Sequence, residues 1–215
     1  MLQKKEEIKE FRFECTRCGN CCTDKNTLVN ITYSDILRIY HSLNLSLEEI
    51  LEILGFYIFD KTPTEEEIRK MVVPPIDTER GLAFTGLKKN SSGKCYFYDD
   101  KGKNCLIYKI RPMFCRTFPF TFRIFFNKEI PNKAKIKMQY TEKSIEYCPG
   151  IGEKAPLIDE DEWIKVGKIT IEDMSANNIL IRKWNEASEK GKIKPTARNF
   201  VLTFLNLEEK NSKQD

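Results

Sequence analysis

The run Cys15-x2-Cys18-x2-Cys21-Cys22 puts four sulfurs into eight residues. Adjacent Cys21 and Cys22 are poorly placed to bond each other without strain. Two-residue gaps instead let a turn aim successive thiolates at one ion or cluster, and Gly19 permits the positive φ such a turn often needs. Four more cysteines follow at Cys95, Cys105, Cys115 and Cys148. Four clustered and four remote sulfurs suit either one shared site or two four-thiolate sites.

An even cysteine count also fits disulfides. The opening MLQKKEEIKE, however, is charged throughout and lacks the apolar run of a signal peptide, so a cytoplasmic chain in a reducing compartment is expected. Eight cysteines in 215 residues also fall well short of a secreted disulfide scaffold. Metal ligation is the expectation.

Zinc is the default ion for CxxC pairs, yet zinc ribbons show two separate knuckles where this chain has one dense cluster. Cys15-x2-Cys18-x2-Cys21 has the triple spacing of bacterial ferredoxins, whose remaining ligand is remote and followed by proline, as in Cys148-Pro149. The reading is an iron–sulfur cluster of the 4Fe-4S kind, with zinc as the alternative. One working division groups Cys15, Cys18, Cys21 and Cys148, leaving Cys22, Cys95, Cys105 and Cys115 for a second site. Exchange of Cys21 and Cys22 between the sets, or a single site, stays open.

Other chemistries are excluded or weakened. The single histidine, His41, permits no two-histidine metal site or HExxH peptidase, and it falls within a helical pattern from Tyr33 to Leu43. Net charge is +4 from 36 basic and 32 acidic side chains, which identifies no nucleic-acid or membrane partner. Two short helices around Asn44-Leu45 could suggest a DNA reader, but the second carries Glu48, Glu49 and Glu52 where basic groups are needed. Unbroken apolar stretches such as Ile124-Phe125-Phe126 are far too short to span a membrane. Gly150-x-Gly152-x2-Ala155 follows Cys148-Pro149 rather than a strand, and Pro156 interrupts the helix a dinucleotide fingerprint requires. Cys18-x3-Cys22 would need a third cysteine at position 25, which is Lys25, so a standard radical S-adenosylmethionine site is not supported.

Phe13-x-Cys15-x2-Cys18-Gly19-x-Cys21-Cys22 is followed by Leu28-x-Asn30-Ile31-Thr32-x2-Asp35-Ile36. Later come Gly93-Lys94-Cys95-x-Phe97, Cys105-x-Ile107-Tyr108-x-Ile110-Arg111-Pro112-x2-Cys115-Arg116-x-Phe118-Pro119-Phe120 and Cys148-Pro149-Gly150-x-Gly152. These segments resemble the cysteine-cluster family of the YkgJ type, a zinc- or iron-chelating domain, over about residues 11 to 152. The resemblance implies metal ligation by the eight cysteines and names no reaction. A related branch, the flagellin lysine N-methylases, shares the cysteine core in longer proteins. Redox chemistry or modification of a protein substrate, lysine N-methylation by that kinship, and a non-enzymatic metal carrier or sensor are therefore competing functions.

Arg111 and Arg116 flank Cys115. Their guanidinium groups can offset thiolate charge and donate to sulfur, or hold an anionic substrate or cofactor. Phe114, Phe118 and Phe120 read as core, and Pro112 as the turn that presents Cys115.

The expected fold class is α+β: a small irregular antiparallel sheet with helices around a cysteine-ligated centre, and a helical C-terminal tail. Residues 1–152 form the cysteine-cluster domain and 153–215 a helical extension packed on it. Thr32-x2-Asp35 and Ser46-x2-Glu49 are helix-opening boxes, the second helix stopping at Gly55. Strands are expected at Asn26–Ile31, Gly81–Leu87 and Lys94–Tyr98, and at Cys105–Tyr108 across a hairpin that brings Cys95 near Cys105. Thr117–Phe126 and Ala134–Tyr140 should pair around Asn127–Asn132. Helices are expected from Ile171 to Lys190, bearing Met174, Ile179, Ile181 and Trp184 and ending at Gly191, and after Pro195, with a frayed NSKQD end.

Overall fold

The computed structural model describes residues 10–126 and 134–211. After a one-turn helix α1 (Asn20–Thr23), three capping boxes open α2 (Tyr33–Ser42), α3 (Leu47–Ile53) and α4 (Glu65–Lys70). In each box the hydroxyl accepts from the backbone N–H three residues on, and that residue's carboxylate accepts from the cap's own N–H, so two otherwise orphaned donors are satisfied. Thr64-x2-Glu67 carries the same signature as the two boxes expected.

Strands β1 (Leu54–Ile58), β2 (Ile76–Thr78) and β3 (Gly81–Leu87) form an antiparallel sheet in the order β1-β3-β2. β4 (Tyr98–Asp99) pairs with β5 (Asn104–Cys105), and β6 (Phe120–Phe126) with β7 (Ala134–Tyr140) from Phe120↔Tyr140 to Phe126↔Ala134. Helix α5 (Met113–Thr117) leads into β6, and α6 (Glu142–Tyr147) follows β7. Helices α7 (Glu160–Glu189) and α8 (Ala197–Asn211) complete the chain. The mixture of helices and small antiparallel sheets is as expected, in three sheets among the described residues rather than one.

Local readings shift in several places. Gly55 does not stop a helix; α3 ends at Ile53 and the chain enters β1 at once, where Phe56 and Tyr57 are strand formers. Asn26–Ile31 contributes only a bridge from Asn30 to Gly86. Of Lys94–Tyr98, only Tyr98 belongs to a strand, and Cys105–Tyr108 passes from β5 into a 3₁₀ turn, Tyr108–Ile110. Thr117 ends α5 instead of starting β6. Helix α7 begins at Glu160, eleven residues before the expected Ile171, and Ile179 faces outward at 42% exposure. The expected turn Asn127–Asn132 and residues 212–215 of the terminal segment lie outside the described residues.

Two apolar clusters hold these elements. The larger joins Ile36, Ile39, Ile50 and Ile76 to Ile181, Trp184, Phe200 and Val201, so α7 and α8 share one core with α2, α3 and the first sheet. The smaller centres on Phe120, whose ring meets Trp163 at 4.7 Å, Tyr140 at 5.0 Å, Phe11 at 5.6 Å and Phe13 at 5.9 Å. Such ring pairs contribute roughly 0.5–1.5 kcal/mol each beyond their burial. No helix among the described residues is long and apolar enough to cross a membrane.

Candidate metal centre

All eight cysteines line one cavity of about 80 Å³, which also takes Leu87 and Ile107 from the larger cluster and Phe13 from beside the smaller. Five separate chain segments bring the sulfurs there. Residues 11–14 lie antiparallel to 150–158: Phe13 donates to the Pro156 oxygen at 3.0 Å and Glu14 to the Gly150 oxygen at 3.0 Å. This brings Cys15 toward Cys148, at the end of α6. Gly19 then turns the chain at φ +80°, and its oxygen accepts from the N–H groups of Cys22 and Thr23 to start α1. The Asn20 amide donates to the Tyr147 oxygen at 3.0 Å, tying α1 to the residue before Cys148.

Cys22 is joined to Cys95 through the backbone, the Cys95 N–H donating to the Cys22 oxygen at 2.8 Å. Cys105 enters on β5, opposite Tyr98. Cys115 sits in α5, its N–H donating to the Pro112 oxygen at 2.9 Å. That short helix is held from behind by a buried carboxylate. Asp35 accepts from the Met113 N–H at 2.9 Å and the Thr32 N–H at 3.1 Å, and from the Arg38 guanidinium. Arg38 in turn donates to the Arg111 oxygen at 3.1 Å and the Ile110 oxygen at 3.4 Å. Burial pushes the Asp35 carboxyl upward, against the pull of these donors. Asp35 was legible as a helix opener, but its hold on α5 was not, because its partner Met113 lies 78 residues away.

The thiols are not alike. Hydrogen bonds from Cys22 hold Cys21 down at about 7 and Cys105 at about 6, and leave Cys22 itself pushed far up. Burial raises Cys95, Cys115 and Cys148. Arg111 lines the cavity and its positive charge helps lower Cys21 and Cys105. Arg116 lines a neighbouring cavity instead, together with Arg17 and Lys109, which the sequence reading did not single out. Phe120 is core, whereas Phe118 lines the cysteine cavity, stacked on Tyr147 at 5.9 Å. His41 lies exposed on α2, its ring edge-on to Tyr40 at 5.2 Å.

The donor set fits a thiophilic metal. No Asp, Glu or His lines the cavity, and thiolates alone favour zinc, copper(I) or iron–sulfur clusters over hard cations. Its volume is several times the ~10–15 Å³ that one water needs. Among the described residues, no three His, Cys, Asp or Glu side chains are already gathered in the arrangement of an ion site. The sulfurs share a cavity and must close further to bind.

The family described as "Putative zinc- or iron-chelating domain" (CxxCxxCC) matches residues 14–149, which contain every cysteine. The uncharacterized protein MJ0661 of Methanocaldococcus jannaschii is 26% identical over 177 residues, spanning 79% of this chain and 78% of that one. No solved structure gives a significant match.

Proposed function

Because the chain belongs to this family of zinc- or iron-chelating CxxCxxCC domains, we propose that its cysteines hold an iron–sulfur cluster of the 4Fe-4S kind and serve one-electron redox chemistry in a reducing cytoplasm. The observation that carries the reading is the convergence of eight sulfurs, without a carboxylate or imidazole, on one cavity. When bound, a cluster supplies an electron-transfer centre; zinc, the alternative, supplies a structural tie.

The ligand division is Cys15, Cys18, Cys21 and Cys148 in one set, and Cys22, Cys95, Cys105 and Cys115 in the other. The first set is supported by the pairing of Glu14 with Gly150 and by the negative charges of Cys18, Cys15 and Cys21 acting on Cys148. The second is supported by the Cys95–Cys22 backbone bond and the hydrogen bond from Cys22 to Cys105. Arg111 offsets thiolate charge. Residues 1–152 are the metal-binding unit, and 153–215 a helical extension that completes its core.

The test is metal and sulfide content, with an absorption spectrum, on protein purified without oxygen. About four irons and four sulfides per cluster with broad visible absorption are expected. One or two zincs with no visible absorption would overturn the cluster. A second reading, a metal carrier or sensor, is favoured by the exposure of Cys15, Cys18 and Cys21. It predicts metal loss to a chelator within minutes, and retention over hours would remove it.

A further inference from the structure

A second cavity, of about 430 Å³, adjoins the cysteine cavity, with Arg17, Tyr108 and Arg111 lining both. Lys109 and Arg116 add two more cations to its wall, Trp163 adds an aromatic face, and no acidic residue lines it. The guanidinium carbons of Arg111 and Arg17 stand 4.0 and 4.4 Å from the centre of the Tyr108 ring, so one aromatic ring braces two positive charges.

Some surface cations elsewhere have carboxylate partners: Lys70 with Glu66, Lys143 with Asp24, Lys165 with Glu162 and Arg198 with Glu48. Among the described residues, however, none of Arg17, Lys109, Arg111 and Arg116 has a carboxylate within ion-pair reach or an acceptor for its side-chain N–H groups. Four like charges facing one concavity repel each other unless an anion sits among them. Arg17 and Arg111 also line the cysteine cavity, where thiolates can meet part of this need, but Lys109 and Arg116 do not line it.

We propose that this second cavity binds a small polyanion carrying at least two phosphate or carboxylate groups, held by Arg17, Lys109 and Arg116, with Arg111 shared between the anion and the cysteine cavity. The three guanidinium forks match the planar, two-oxygen edge that phosphate and carboxylate share. The cavity volume falls within the roughly 300–1,000 Å³ of small-molecule sites. The proposal does not depend on which metal the cysteines hold.

The experiment is calorimetric titration of the purified, metal-loaded protein with inorganic pyrophosphate and, separately, with tricarballylate, metal content being measured before and after. Saturable binding of at least one probe without metal loss is expected, weakening as salt is raised. Arg116→Ala and Lys109→Ala should each weaken it about tenfold, the loss of one charge-assisted hydrogen bond or more. Lys70→Ala, on α4, should leave it within about twofold. Preference for pyrophosphate assigns a phosphorylated ligand, and preference for tricarballylate a polycarboxylate. No saturable binding, heat that only accompanies metal loss, or binding unchanged in both Arg116→Ala and Lys109→Ala would overturn the site. Lys109 is exposed, so its variant reads the site even where Arg116→Ala disturbs α5. Protein that takes up no metal yet binds pyrophosphate would count against the proposed metal centre and for the anion site; metal-loaded protein that binds neither probe would count the other way.

Discussion

A Cβ on Gly150 would stand 2.2 Å from the carbonyl oxygen of Glu14, the residue before Cys15. The two backbones approach this closely because Glu14 donates to the Gly150 oxygen at 3.0 Å. Gly150→Ala should therefore force the first and last cysteine segments apart, with an overpacking cost of about 1–3 kcal/mol. Metal content per folded molecule, measured after anaerobic loading, should fall with it. Full metal content in a stable variant would contradict the reading.

Gly19 is constrained in a different way. At φ +80° a side chain costs about 1–2 kcal/mol. A Cβ there would also lie 2.8 Å from the Tyr98 ring. In urea denaturation, Gly19→Ala should be destabilised by both effects, and Tyr98→Leu in the same chain should recover only the steric part. Complete recovery would show that the backbone conformation matters little.

Asp35→Asn leaves Arg38 without its ion partner and weakens the hold on the Met113 N–H, so a loss of about 2–4 kcal/mol is expected. The effect should reach the site as slower or incomplete metal loading, because Asp35 and Arg38 fix the segment that presents Cys115. A loss below about 1 kcal/mol would indicate that α5 is held by packing alone.

The thiols predict an order of reactivity. In metal-free protein at pH 8, Cys105 and Cys21 are already largely thiolate, with values of about 6 and about 7. Iodoacetamide followed by peptide mapping should find these two modified first, with rates falling as pH drops through 7 and then 6. Cys22, Cys95, Cys115 and Cys148 are raised and keep their protons at neutral pH. Metal must displace those protons, so binding should release protons and strengthen as pH rises from 7 to 9. Metal affinity independent of pH over that interval would reject the assignment.

Trp184 tests the contribution of the C-terminal helices. Its indole N–H donates to the Asp77 oxygen at 2.9 Å, while Asn185 bonds Asp77 N–H and the Pro75 oxygen. Trp184→Phe should lose about 0.5–1.5 kcal/mol for the hydrogen bond. Trp184→Ala should lose about 3–5 kcal/mol for the ring as well. Equal losses in the two variants would place the whole effect in the hydrogen bond.

Local chemistry was what the sequence made readable. The boxes at Thr32 and Ser46, strand Gly81–Leu87 and the pairing of Ala134–Tyr140 all follow from adjacent residues, and the structure contains them. The first turns of α7 were missed because their acidic residues hide Trp163 and Ile164, whose apolar faces find a use only against the cluster around Phe120 and the Phe13 ring. Lys94–Tyr98 has strand-forming residues, yet it bends to let Cys95 bond the Cys22 backbone, a tertiary demand that no propensity records. The eight cysteines were visible from spacing. Arg17, Tyr108 and Lys109 were not, since their significance comes from sharing a concavity with Arg111 and Arg116 and from lacking acidic partners there.

The cysteine cavity is walled by the chain's early and late segments together, Cys15 and Cys148 being about 130 residues apart. On the ribosome, at roughly 5–20 residues per second, the first four thiols are made roughly 6–25 s before Cys148. During that interval they belong to a growing chain that lacks the Cys148 wall of the cavity. They must be kept from oxidation and from premature capture of whatever thiophilic ion is abundant. The cavity thus sets a timing requirement on synthesis: the order in which metal and chain arrive decides what the finished protein holds.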